Sequence, residues 1–174
     1  MLSPAEFVNF YAQAGTKKCA NSTGKLYLSA LLAGFYIASG AVVANTAGHL
    51  LTNAGLSRVL CGLLFPFGLI MVIVTEAELF TGNCLITISL LEKKAALAGM
   101  VRNLVVVYVG NLLGALILAS AIVYCGQLDL SGGALAVHTI RAAAAKCALP
   151  FGKAVVLGVL CNVLVCAGVM CSLC

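Results

Sequence analysis

Glu78-Leu79-Phe80-Thr81-Gly82-Asn83 places a carboxylate, a hydroxyl, a carboxamide and a flexible glycine inside an apolar run. From Val59 to Leu91 only Glu76 and Glu78 carry charge. As one straight helix this run would measure roughly 50 Å, against a hydrocarbon core of ~30 Å. It is expected to break at Thr81-Gly82-Asn83, because Gly and Asn tolerate helix-ending backbone angles. A half-helix opening after Gly82 would present free N–H groups and positive dipole to an anion. Irregular backbone at membrane depth survives only where it lines a cavity or is buried in protein. A half-helix aimed at the bilayer midplane is a device of solute pathways. The competing reading, a kinked core helix, leaves this set of polar residues without a purpose.

Other polar residues admit two readings each. Asn162 stands in an apolar stretch where an unpaired amide is costly, so it pairs with another helix or with a permeant beside Lys146. Lys146 alone reads as a solvated lysine at the dipole-favoured end of a surface helix. Pro150 lets the chain turn, so that Lys146 and Asn162 can approach. Glu78 is expected to accept hydrogen bonds that fix the loop, and Glu76 receives no role. His49 and His138 are conceivable proton relays, but no direct role is expected of either. Cys161, Cys166, Cys171 and Cys174 fit no zinc spacing and read as packing residues, so neither metal nor cofactor is expected.

The elements that hold these residues follow from composition. Of 174 residues 63% are hydrophobic and 9% charged, with mean hydropathy +1.13. That is an all-α integral membrane protein with several crossings. Basic patches interleaved with aromatics are absent, which excludes nucleic acid as a partner. A basic, then apolar leader is not evident in the first twenty residues. Nine cysteines, mostly in apolar segments, do not suggest a secreted disulfide scaffold.

Residues 1–25 form an N-terminal amphipathic unit. Its helix is expected over 3–16, with Ser3 and Glu6 as a capping box, Pro4 in the first turn and Lys17 and Lys18 at the end. Residues 26–174 form the transmembrane unit, with helices expected at 26–48, 59–91 (broken near 81–83), 104–125 and 152–174. Ala30, Gly34 and Ala38 make a small-residue face, and Gly110 and Gly114 stand in GxxxG spacing around Asn111. Lys17, Lys18, Lys25, Lys93, Lys94 and Arg102 fall on one side, and Arg58, Arg141, Lys146 and Lys153 on the other. The bias places the N-terminus in the cytoplasm.

Phe65-x-x-Gly68-Leu69 followed by Glu78-Leu79-Phe80-Thr81-Gly82-Asn83 resembles the formate/nitrite transporter family. Gly158-x-Leu160-Cys161-Asn162-x-Leu164-Val165-Cys166 agrees with it, and Lys146 precedes Asn162 by the family's spacing. The resemblance covers essentially the whole chain. It implies an aquaporin-like helical bundle in a prokaryotic inner membrane, here the first inverted repeat plus the start of the second. It also implies a homopentamer whose protomers each pass small monovalent anions such as formate, nitrite or hydrosulfide, alone or with a proton. By resemblance Leu79, Phe80, Thr81, Gly82 and Asn83 form a mobile gating loop, with Thr81 offering its hydroxyl to the ion. Lys146 and Asn162 line the vestibule, and Phe65, Leu69 and Val165 form the apolar constriction.

Two departures accompany the resemblance. The family's fifth helix, with its central histidine, lies beyond the end of this chain, so the chain is expected to be C-terminally incomplete. Glu76 stands where the family usually has glycine. The expected function is therefore an anion channel rather than an enzyme. The rivals are a non-conducting fragment that joins complete subunits, an aquaporin-like channel for neutral solutes and a membrane redox enzyme. The absence of an Asn-Pro-Ala motif speaks against the second, and the absence of a quinone, haem or flavin pattern against the third. The choice among anions, and between channel and proton symport, is not written in the sequence.

Overall fold

The computed structural model describes residues 3–172, in which helices are joined by turns and no strand occurs among the described residues. The first helix, α1 (Pro4–Ala20), opens with the expected capping box. Ser3 Oγ accepts from the Glu6 N–H at 3.4 Å, and Glu6 Oε2 accepts from the Ser3 N–H at 2.8 Å. These bonds satisfy two donors that a helix start otherwise leaves free. The Ser3 hydroxyl, which also donates to Glu6 Oε2, and after it the Ser3 N–H hold the Glu6 carboxyl below its ordinary range. The helix runs one turn past the expected end and buries Tyr11, Ala12 and Gly15.

Two long helices form the centre: α2 (Thr23–Gly48), and a later one that spans Leu97–Tyr124. The latter starts seven residues before the expected 104, so Arg102 and Asn103 are helical. Small residues let the two backbones touch. Gly34 faces the Asn111 carbonyl, Gly114 faces the Leu31 carbonyl, and a Cβ on Gly110 would lie 2.6 Å from the Ala30 methyl. Leu26, Ala30 and Val107 make the buried core between them, with Phe80 and Val106 packed against it. Without a hydrophobic drive inside lipid, such close contact is what joins membrane helices.

The intervening segment breaks as expected, but elsewhere. It begins with α3 (Ala54–Leu64), capped by the Asn53 side chain, and continues as α4 (Pro66–Val74). Pro66 lacks an N–H and only bends the joint, leaving one apolar span over Ala54–Val74. A Cβ on Gly68 would lie 2.6 Å from the Tyr36 carbonyl, so α4 lies against α2. The helix stops at Val74, not at Thr81-Gly82-Asn83. Its end is a Schellman motif: the Glu76 N–H donates to Ile73 at 3.2 Å and the Ala77 N–H to Val72 at 3.0 Å. Glu76 takes the left-handed position, φ 52°, that this motif usually gives to glycine. Val72 and Ala77 complete it by packing together with Ala33.

Thr81, Gly82 and Asn83 are instead helical. They lie in α5 (Phe80–Asn83), which runs through 3₁₀-type turns at Cys84 and Leu85 into α6 (Ile86–Leu91). The half-helix therefore opens at Phe80 rather than after Gly82. A second Schellman end, with Lys93 at φ 55°, closes α6 before the long helix, α7 (Leu97–Tyr124). The connection beyond it holds a 3₁₀ turn (Gln127–Asp129) and α8 (Ala134–Cys147). Pro150 then starts α9 (Phe151–Cys171), which packs on α5 and buries none of its own residues.

Four spans are long and apolar enough to cross a membrane among the described residues: Thr23–Gly48, Ala54–Val74, Leu97–Tyr124 and Phe151–Cys171. At one end α1 lies on α6 beside the starts of α2 and α7. At the other end His49 Nε2 meets Ser131 Oγ at 2.9 Å, and Gln127 donates to Thr46 at 3.1 Å.

Candidate functional site

The polar residues of the break do not face one pathway together. They divide between a buried network and a half-exposed seam. In the network Glu78 is the hub. Lys18 Nζ meets Glu78 Oε2 at 2.6 Å and donates to Asn83 Oδ1 at 3.0 Å. Asn83 Nδ2 donates to Glu78 Oε2 and to Asn103 Oδ1, each at 2.8 Å. Asn103 Nδ2 donates to the Lys18 carbonyl at 3.2 Å. Four side chains from α1, the break, α5 and α7 thus satisfy one another. That is the condition under which buried charge is tolerated.

Asn111 completes the hold from α7. Its Nδ2 donates to the Glu78 carbonyl at 3.0 Å and to Ala30 at 2.7 Å, and its Oδ1 accepts from the Phe80 N–H at 2.9 Å. Ser29 Oγ accepts from the Glu78 N–H at 3.1 Å. The irregular backbone is therefore paired with side chains of α2 and α7, which is how it survives away from water. Arg102 ties the corner before α2, donating to the Asn21 carbonyl at 2.8 Å and the Thr23 hydroxyl at 2.9 Å. Nearby, burial pushes the Cys19 thiol up, against the opposing pull of the Arg102 guanidinium.

The seam lies between α5 and α9. Thr81 is half-buried there, and its carbonyl faces the Asn162 amide at 3.4 Å and the Cys166 thiol at 3.3 Å. Its hydroxyl makes no hydrogen bond among the described residues. Gly82 is also half-buried. The N–H groups of Thr81 and Gly82 belong to a first turn and have no intrahelical acceptor. The Phe80 N–H is already taken by Asn111. Asn83 turns inward and is fully buried, so it belongs to the network and not to the seam.

The remaining expected residues stand apart. Asn162 pairs with another helix, α5, and not with Lys146. Lys146 is exposed in the last turn of α8, and eleven residues of α9 separate the helix start from Asn162, roughly 16 Å of rise. Pro150 turns the chain into a straight helix that carries Asn162 away from Lys146. Phe65 and Leu69 are one turn apart at the α3–α4 joint, with Phe65 exposed and Leu69 half-buried. Val165 is half-buried on α9, one residue before Cys166, and α9 packs on α5 rather than along α3 or α4. Sequence reasoning missed Lys18, Ser29, Asn103 and Asn111 as partners of the break. Asn103 and Asn111 carried a usable signal, because eight residues apart in an apolar helix they share a face.

Among the described residues no three His, Cys, Asp or Glu side chains gather as a metal site. Four apolar spans around a broken element define a multi-pass helical membrane protein. Comparison with known proteins makes this more specific. The family described as "Formate/nitrite transporter" matches residues 5–174, and the chain belongs to it. A protein from Haemophilus influenzae named "Formate channel FocA" is 31% identical over 98% of this chain and 61% of its own length. A "Probable formate transporter" from Methanothermobacter thermautotrophicus is 37% identical over 67% of this chain and 44% of its own length. A solved structure titled "Pentameric formate channel with formate bound" matches with a TM-score of 0.75 and 33% identity, over 84% of this chain and 58% of that one. An "FNT family ion channel" also matches with a TM-score of 0.75, at 26% identity over 84% of this chain and 59% of that one. The chain thus spans about three fifths or less of these relatives' length. They are named as channels and transporters, not enzymes.

Proposed function

We propose that this chain forms part of a channel for small monovalent anions such as formate, nitrite or hydrosulfide. The observation that carries this reading is the seam at Thr81. Its carbonyl is held by Asn162 and Cys166, while its hydroxyl makes no hydrogen bond among the described residues and the residue is half-buried at the opening of α5. A fixed backbone with a free hydroxyl can exchange one hydrogen bond at a time with a passing ion. Thr81 and Asn162 are the pathway residues on this reading, and Leu79, Phe80 and Gly82 shape the loop that opens it. Lys146, exposed at the opposite end, raises the local concentration of anions at that mouth.

Phe65 and Leu69, one turn apart at the α3–α4 joint, supply the apolar constriction, and Val165 adds apolar lining separately, beside the seam on α9. A bare anion crossing a dry apolar neck loses its hydration at great cost, whereas its neutral conjugate acid crosses far more cheaply. A cationic mouth followed by such a neck gathers anions and passes them as weak acids with a proton. The protein works as a homopentamer in a prokaryotic inner membrane, with α1 on the cytoplasmic side. The stretch α2 to α7 is one inverted repeat of an aquaporin-like bundle, and α9 opens the next. Support comes from the pentameric formate channel among the structural matches and from the six-to-four excess of Lys and Arg on the α1 side.

The test is formate uptake by proteoliposomes made with the whole gene product. Thr81→Val, which keeps shape and removes the hydroxyl, should lower uptake strongly, and Lys146→Ala should lower it at low anion concentration. Uptake should rise as pH falls. Unchanged uptake in both variants, with a flat pH profile, would overturn the reading.

A further inference from the structure

The seam holds a second chemistry that anion passage does not use. Cys84 and Cys166 approach opposite ends of one carboxamide. Asn162 Nδ2 donates to Cys84 Sγ at 3.3 Å, and the Cys166 thiol donates to Asn162 Oδ1 at 3.2 Å. The Cys166 thiol also reaches the Thr81 carbonyl, and the Cys84 thiol donates to the Phe80 carbonyl at 3.4 Å. Both cysteines are free and only half-buried. Two thiols from separate elements thus converge on one carboxamide, a side chain able to swing away.

We propose that Cys84 and Cys166 form a two-thiol site for a soft divalent cation of the mercuric class, bound across the seam between α5 and α9. Soft thiolate ligands select soft metals. A zinc-type site needs four ligands, and no third His, Cys, Asp or Glu joins this pair among the described residues. A two-coordinate cation needs only what is present. In the binding step two S–H bonds break and two S–metal bonds form. Two protons leave to solvent, and no electrons are transferred. The product, a divalent cation with two thiolates, is neutral. A monovalent cation would leave a net negative complex, which a low-dielectric seam disfavours. Asn162 gives up both sulfur contacts when the cation enters, and α9 becomes clamped to α5 at Thr81.

The binding does not depend on the proposed function, whereas its effect on passage rests on that reading. The test is native mass spectrometry of the purified protein with mercuric ion, in the presence of excess monothiol competitor. A chelating second thiol raises retention roughly 10²–10⁴-fold over a single one. One ion per chain should therefore be retained, and either Cys84→Ser or Cys166→Ser should abolish that retention, while Cys161→Ser and Cys171→Ser should not. Retention that survives both Cys84→Ser and Cys166→Ser overturns the proposal, as does retention lost equally in all four variants. Anion uptake is then measured with and without the ion. Inhibition in the wild type but not in Cys84→Ser connects the site to passage. Retention of one ion without inhibition leaves the site standing and removes its link to the channel.

Discussion

Lys18 and Glu78 lie sixty positions apart in sequence, and a double-mutant cycle on them tests whether their contact sets the break. Lys18→Met removes the charge and keeps the stem. It leaves the Glu78 carboxylate, whose side chain is 8% exposed, with Asn83 and a long contact to Asn21 at 3.5 Å. Stranding a buried charge costs about 3–5 kcal/mol, and the two remaining donors reduce this to about 2–4. Glu78→Gln strands less, because the Lys18 side chain is 32% exposed and can turn to water, so about 1–2 kcal/mol is expected. The double variant should cost at least about 1 kcal/mol less than the sum, since its neutral groups no longer face an unpaired charge. Unfolding by titration with a denaturing detergent, followed by far-ultraviolet circular dichroism, supplies the four free energies. Additivity within ~0.5 kcal/mol, or Glu78→Gln costing more than Lys18→Met, would refute the reasoning.

Glu76 at φ 52° should rank by backbone tolerance. Glu76→Gly should raise stability by up to about 1 kcal/mol, and the β-branched Glu76→Val should lower it, as thermal unfolding can check. Asn111→Leu leaves the Phe80 N–H and the Glu78 carbonyl without their partner, so a loss of about 2–5 kcal/mol in the same unfolding assay is expected. Gly34→Val puts side-chain atoms into the Asn111 carbonyl and should abolish a folded, monodisperse peak in size-exclusion chromatography. Gly62→Val, where a Cβ meets nothing, should leave the peak intact. The lowered Glu6 carboxyl adds stability to α1 that is fully present above the ordinary glutamate range and lost as pH falls through the lowered value. Proteolysis of the first twenty residues should therefore speed up at strongly acid pH, and Glu6→Gln should remove that pH dependence.

Apolar length and small-residue spacing carried much of the architecture. The spans around Leu26–Gly48 and after Pro150 follow from long hydrophobic runs, and Gly34, Gly110 and Gly114 mark faces for close packing, which the fold pairs between α2 and α7. The capping box of α1 was readable because Ser3 and Glu6 act through local bonds. The place of the break was not readable, because the residue that turns the chain is a glutamate in a conformation that normally signals glycine. Its Schellman bonds depend on Val72 and Ala77 meeting Ala33, a tertiary contact. The one clue in the sequence is that Glu76 stands where the resembling family usually has glycine, a signal about backbone rather than about charge. The neighbours of Asn83 in sequence point to the gating loop, but helical spacing turns it toward Asn103. Lys18 looked like a helix-ending charge, and only the fold shows its carboxylate.

The separation of Lys18 from Glu78 also has a bearing on biosynthesis. At roughly 5–20 residues per second, the ribosome finishes α1 about 3–12 s before the partner carboxylate is made. Throughout that interval Lys18 has only water or lipid headgroups to neutralise it. The α6 surface on which α1 rests does not yet exist either. α1 therefore cannot dock until α6 has been made. A nascent chain halted before Glu78 would carry a loose, protease-accessible N-terminal helix, and release past Leu91 would mark the moment at which it can be protected.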